Sequence, residues 1–109
     1  MTLPSTTQEI NLKHPSLSEG EILFAHWLNS NLPKLTSLWD WNEGSIKWDG
    51  VDQYLSVASH GEAIMCRFAV GVWRWKNERH FDLIEAAQVL DAKSMAIVGE
   101  WAMKPWFAG

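Results

Sequence analysis

The chain has 109 residues, 47% of them hydrophobic and 20% charged, with nine basic against thirteen acidic side chains and a net charge of −4. That length fits one domain, with about two-thirds of the unfolded surface buried on folding. The acidic balance disfavours phosphate-neutralising contact with nucleic acid and polybasic attraction to anionic lipid. The single cysteine, Cys66, excludes an intrachain disulfide and Cys-rich zinc sites.

The start, "MTLPSTTQEINLK", has neither a basic n-region nor an apolar run, so no signal peptide is expected. No apolar stretch is long enough to span a membrane. A soluble cytoplasmic protein is the default. Residues 1–13 read as a flexible arm, in which alternation of Ile10 and Leu12 fits a short edge strand, and residues 14–109 as a single globular domain.

The first helix follows "HPS". Ser18 and Glu21 form a capping box, Leu17 and Ile22 stand at staple positions, and Leu23, Phe24, Trp27 and Leu28 share one face. Pro33 should stop it.

In "LWDWNEGSIKW" the pairs Trp39/Trp41 and Ile46/Trp48 show period two on either side of Asn42–Ser45, which predicts a β-hairpin. Asp49-Gly50 is a favoured two-residue turn that would set Lys47 opposite Asp52, giving a three-strand meander over residues 37–56. A helix beginning near Asp49 is the competing reading of the same residues.

Ser59 and Glu62 open a second strong helix. Ile64, Met65, Phe68, Val72 and Trp75 make one stripe, and Ala63, Cys66, Val70 and Trp73 carry apolar atoms round the other side. A helix apolar nearly all round is covered on both sides, so residues 59–76 should be the central element. Asp82 with Glu85 caps a short helix whose buried side would be Leu83, Ile84, Ala87 and Leu90. Asp91 caps another helix bearing Met95, Ile97, Val98 and Trp101, and Pro105 ends it. The expected class is α+β, mainly α: about four helices, with a small antiparallel hairpin or meander between the first and second.

Chemical motifs are sparse. The Ala87–Ile97 corner has helix-turn-helix spacing, yet Asp91 replaces the turn glycine, and residues 81–109 hold four acids and two bases. DNA reading is therefore a distant third possibility. His60/Glu62 and His80/Asp82 would supply a metal site only if folded together, and both carboxylates serve more simply as helix caps, so no metal or cofactor is expected. No nucleophile elbow, phosphate-binding glycine loop or dinucleotide fingerprint marks an enzyme.

The capped start "SHGEAIM" and the "LDAKSMAIV" helix pair resemble small bacterial proteins known as hypothetical open reading frames. The resemblance carries a bacterial or mobile-element flavour and implies no activity.

The eight tryptophans are the distinctive feature. Trp27, Trp75 and Trp101 fall on apolar helix faces and read as core. Trp39, Trp41, Trp48, Trp73 and Trp106 are harder to bury, and either close the core as a lid or form a contact surface. Tryptophan is enriched at interface hot spots. The expected function is a non-catalytic protein-protein interaction module, a homodimer or an adaptor or inhibitor of a larger protein, with Arg74, Lys76 and Arg79 as candidate basic contacts. The alternative is a small-ligand domain in which indole faces take a sugar or a flat heterocycle, assisted by Asp40, Asn42, Glu43 and Asp49.

Overall fold

A computed structural model describes residues 17–108, and the arm with its expected edge strand lies outside them. Helix α1, Glu19–Asn31, begins as expected. The Ser18 Oγ accepts the Glu21 N–H at 3.1 Å and the Glu21 carboxylate accepts the Ser18 N–H at 2.9 Å, which satisfies two otherwise orphaned donors. Leu32 closes the helix, and Pro33 then starts a 3-10 segment, Pro33–Leu38, that buries Leu35, Thr36 and Leu38. Proline suits the first turn because it has no N–H to satisfy there.

The hairpin is present and short. Strand β1, Trp39–Asp40, pairs antiparallel with β2, Ser45–Ile46, in the register Trp39↔Ile46 and Asp40↔Ser45. Its connection is built by Asp40, whose Oδ1 accepts the N–H groups of Asn42 and Glu43 at 3.1 Å each. Gly44 closes the turn at φ 66°, a backbone region in which a side chain would be strained.

The expected meander does not form. Residues Trp48–Val57 make helix α2, the competing reading. Val51 is fully buried, with Tyr54 and Leu55 half-buried against the same core three and four positions on, so helical spacing prevails over the local turn preference of Asp49-Gly50. Lys47 occupies the N-cap position without a side-chain capping bond, and Asp52 pairs with Arg79 at 3.3 Å instead of with Lys47.

Helix α3, His60–Arg74, is the central element. Its capping box is complete (Ser59 Oγ to Glu62 N–H at 3.2 Å, Glu62 to Ser59 N–H at 2.9 Å), and it buries residues on all sides from Ala63 to Val72. Helix α4, Leu83–Val89, and helix α5, Ala92–Met103, meet at the tight Leu90–Asp91 corner. Asp82 and Asp91 cap them, accepting from the Glu85 and Ser94 N–H groups at 2.9 and 2.7 Å.

The face of α4 differs from expectation. Ala86 is buried and Leu90 half-buried, whereas Leu83 and Ile84 are 52% and 71% exposed and Ala87 is exposed. The His60–Glu85 contact at 2.9 Å ties α4 to the start of α3. That contact accompanies burial of the Ala86/Leu90 side.

The protein is thus mainly helical, with a two-stranded ribbon after the first helix. Among the described residues no helix is long and apolar enough to cross a membrane. Phe24, fully buried on α1, is the hub of the core, with the rings of Trp27, Trp39, Trp41, Trp73 and Trp106 at centroid distances of 5.6, 5.2, 6.4, 5.1 and 6.4 Å.

Candidate functional site

Five tryptophans were candidates for a contact surface, and the hairpin pair goes inward. Trp39 and Trp41 are 2% and 6% exposed, so the ribbon folds its indoles over the helices as a lid. Trp73 and Trp106 are half-buried against the Phe24 cluster. Trp48, at the start of α2, is half-buried beneath two guanidinium groups, with Arg79 4.7 Å and Arg74 5.7 Å from its ring centroid. A cavity of about 290 Å³ is lined by Trp39, Asp40, Trp41 and Asn42, but the two indoles are largely buried and the Asp40 Oδ1 is committed to turn amides.

The exposed indole is Trp75, at 62%. Its place on the α3 stripe assumed a helix continuing past it. The helix stops instead at Arg74, and Trp75 takes the left-handed conformation at φ 63° and ψ 21°, its N–H still bonded to the Gly71 carbonyl at 3.0 Å. That backbone turn swings its side chain away from the core, while Trp73 turns inward. Asn77, just past the last apolar residue of the stripe, was the signal in the sequence for a helix end there.

The loop after α3 is held at many points. His80 is a second non-glycine residue at positive φ, 62°. Such conformations cost roughly 1–3 kcal/mol each and persist only where surrounding contacts fix them. Here Asn77 bridges the loop, its Oδ1 accepting the Phe81 N–H at 2.6 Å and its Nδ2 donating to the Phe81 carbonyl at 2.8 Å. Arg74 grips Glu78 with Nε at 2.8 Å and Nη2 at 3.3 Å. The Glu78 hydrogen bond raises the Arg74 pKa, and Arg74 in turn lowers that of Glu78, so both stay charged. Of the three basic candidates, Arg74 and Arg79 are thus engaged within the protein, and Lys76 stands exposed.

Beside Trp75 lies a slot of about 320 Å³, walled by the rings of Phe68, Trp75, Phe81, Trp101 and Phe107, with Lys76 and Asn77 also lining it. The C-terminal segment runs along one side of it. The Trp101 indole donates to the Trp106 carbonyl at 2.7 Å and the Trp75 indole to the Ala108 carbonyl at 2.5 Å. Between these bonds Phe107 lies 5.0 Å from the Trp75 ring and 5.5 Å, edge-on, from that of Trp101. Alternate carbonyls of an extended segment are thus read by two indole donors, with an aromatic side chain gripped between them. The sequence carried no sign of this arrangement, because its parts come from residues 68–81, 101 and 106–108.

Nothing in the site favours nucleophilic or metal chemistry. Cys66 is fully buried on α3, and burial pushes its thiol up to about 11, far from the thiolate range needed for attack. Among the described residues no group of three or more His, Cys, Asp or Glu is placed to hold a metal ion. No protein-family model matches the chain, and neither a curated protein nor a solved structure matches it.

Proposed function

We propose that the chain is a non-catalytic protein-binding module that docks through the aromatic surface centred on Trp75, and that its partner is a second copy of itself. The observation that carries this reading is the exposure of one large indole on a loop fixed by the Asn77, Glu78 and Asp52 contacts. A rigid, exposed tryptophan presents much area at little ordering cost, the property that makes tryptophan an interface anchor. The surface also suits its own kind, since an aromatic segment of this chain already packs on Trp75 and forms one wall of the slot. A two-fold axis beside Trp75 would set the Trp75–Phe107 face of one copy on the same face of the other, so that each covers the other's exposed ring. A cytoplasmic setting accords with a single, buried thiol.

Sedimentation equilibrium of the wild-type chain and the Trp75→Ala variant tests the reading. The wild type should associate reversibly to a dimer, and the variant should remain monomeric with unchanged far-ultraviolet circular dichroism. A wild type that stays monomeric up to about 0.5 mM, where even weak interfaces register, overturns it. So does a variant that associates as well as the parent.

A further inference from the structure

A larger cavity, of about 420 Å³, opens where α1, the 3-10 segment, α2, α3 and the α4–α5 corner meet, far in sequence from the Trp75 loop. Its volume lies in the range of small-molecule sites. Leu35 and Met65, both buried, and Leu90 give it an apolar floor. Lys34, Tyr54, Glu62 and Ser94 also line it and bring polar groups.

Among the described residues those polar groups keep hydrogen-bonding capacity. Among the described residues the Lys34 ammonium and the Tyr54 hydroxyl make no hydrogen bond or ion pair. Glu62 uses Oε1 for the Ser59 N–H and leaves Oε2 uncommitted. The three groups are electrostatic neighbours. The Lys34 charge helps to lower the Glu62 pKa, after the larger effect of the Ser59 hydrogen bonds, and the Glu62 charge adds to the burial that raises that of Tyr54. Lys34 and Glu62 therefore share one mouth without contact within 4 Å, above an aliphatic floor, while the second carboxylate of the lining, Asp91, holds the Ser94 N–H with its Oδ1 as a helix cap.

We propose that this cavity binds a free aliphatic α-amino acid. The complementary ligand has its own opposite charges on a short link and an apolar body. Its carboxylate takes the Lys34 ammonium and the Tyr54 hydroxyl, its ammonium takes the free oxygen of Glu62, and its side chain lies on Leu35, Met65 and Leu90. Charge-assisted hydrogen bonds at both ends fix the orientation, and the floor selects aliphatic over polar side chains.

Amide-detected NMR of the full chain, titrated with L-leucine, tests this. Saturable shifts are expected at the Leu35, Gly61, Met65, Leu90 and Ser94 amides, with a dissociation constant on the order of 1 mM for so small a ligand. N-acetyl-leucine lacks the ammonium and leucinamide the carboxylate, so each should bind about tenfold more weakly. Lys34→Gln should weaken leucine by a similar factor, and Tyr54→Phe serves as a second variant that keeps the ring. Absence of saturable shifts overturns the proposal, as do analogues that bind as tightly as leucine or a Lys34→Gln variant that binds unchanged. Trp75→Ala should leave leucine binding intact, so the outcome is independent of the proposed self-association.

Discussion

Trp39 and Trp41 stack with ring centroids 5.8 Å apart and planes 17° from parallel, yet only one of the two indole N–H groups has an acceptor. The Trp41 Nε1 donates to the Thr36 carbonyl at 3.0 Å, while the buried Nε1 of Trp39 has no hydrogen-bond partner. Phe24 and Trp73 surround Trp39, the latter edge-on at 5.9 Å and 71°, so its polar atom is desolvated among aromatic rings.

That asymmetry sets up a paired substitution. Trp41→Phe removes one of two donors to the Thr36 carbonyl, which keeps the Trp39 backbone N–H, and should cost about 1 kcal/mol for the lost hydrogen bond together with lost contacts. Trp39→Phe removes an N–H that is already unsatisfied, so its loss of area is partly offset. It should be the milder change, and urea unfolding of the two variants compares them directly. Equal destabilisation would mean that the Trp39 N–H contributes as much as the bonded one.

The helix starts were legible in the sequence because a cap is a local device. Ser18/Glu21, Ser59/Glu62, Asp82 and Asp91 all act where their spacing placed them. The hairpin at Asn42–Ser45 and the all-round burial of α3 were legible for the same reason: period and composition are properties of a short window. What could not be read was direction. Trp73 lies inside α3 and packs on Phe24, whereas the direction of Trp75 depends on where α3 stops, and the left-handed backbone at that residue leaves its indole exposed. The choice between strand and helix at Asp49 was settled by packing of Val51, and the C-terminal clasp depends on residues more than thirty positions apart, as in the Trp75–Ala108 bond.

The caps also carry a pH dependence. Ser59 hydrogen bonds lower the Glu62 pKa, and hydrogen bonds from Ser94 lower that of Asp91. In each case the folded value lies below the unfolded one, so the stabilisation is present above the ordinary carboxylate range and is lost as pH falls through the depressed folded values. The melting temperature should therefore hold steady near neutrality and drop below about pH 4, where unfolded carboxyls take up protons. The Glu62→Gln, Asp91→Asn double variant keeps capping oxygens without the charge, and its acid-side decline should be shallower than that of the parent. Parallel profiles from scanning calorimetry would show that other carboxylates govern acid unfolding.

The orientation of α4 gives the sharpest contrast between what hydrophobicity suggests and what the fold does. Leu83 and Ile84 look like core residues in the sequence, and both project into solvent, while the small Ala86 is fully buried. Replacing Ile84 by Ser removes an exposed side chain and should change stability by no more than about 0.5 kcal/mol. Ala86→Leu forces extra volume into a closed site against α3 and should cost about 1–3 kcal/mol. Denaturant midpoints for the two variants decide the matter, since the opposite face would reverse their order. If Ile84→Ser proves the costlier, α4 packs through Leu83 and Ile84 after all, and burial of Ala86 does not persist in solution.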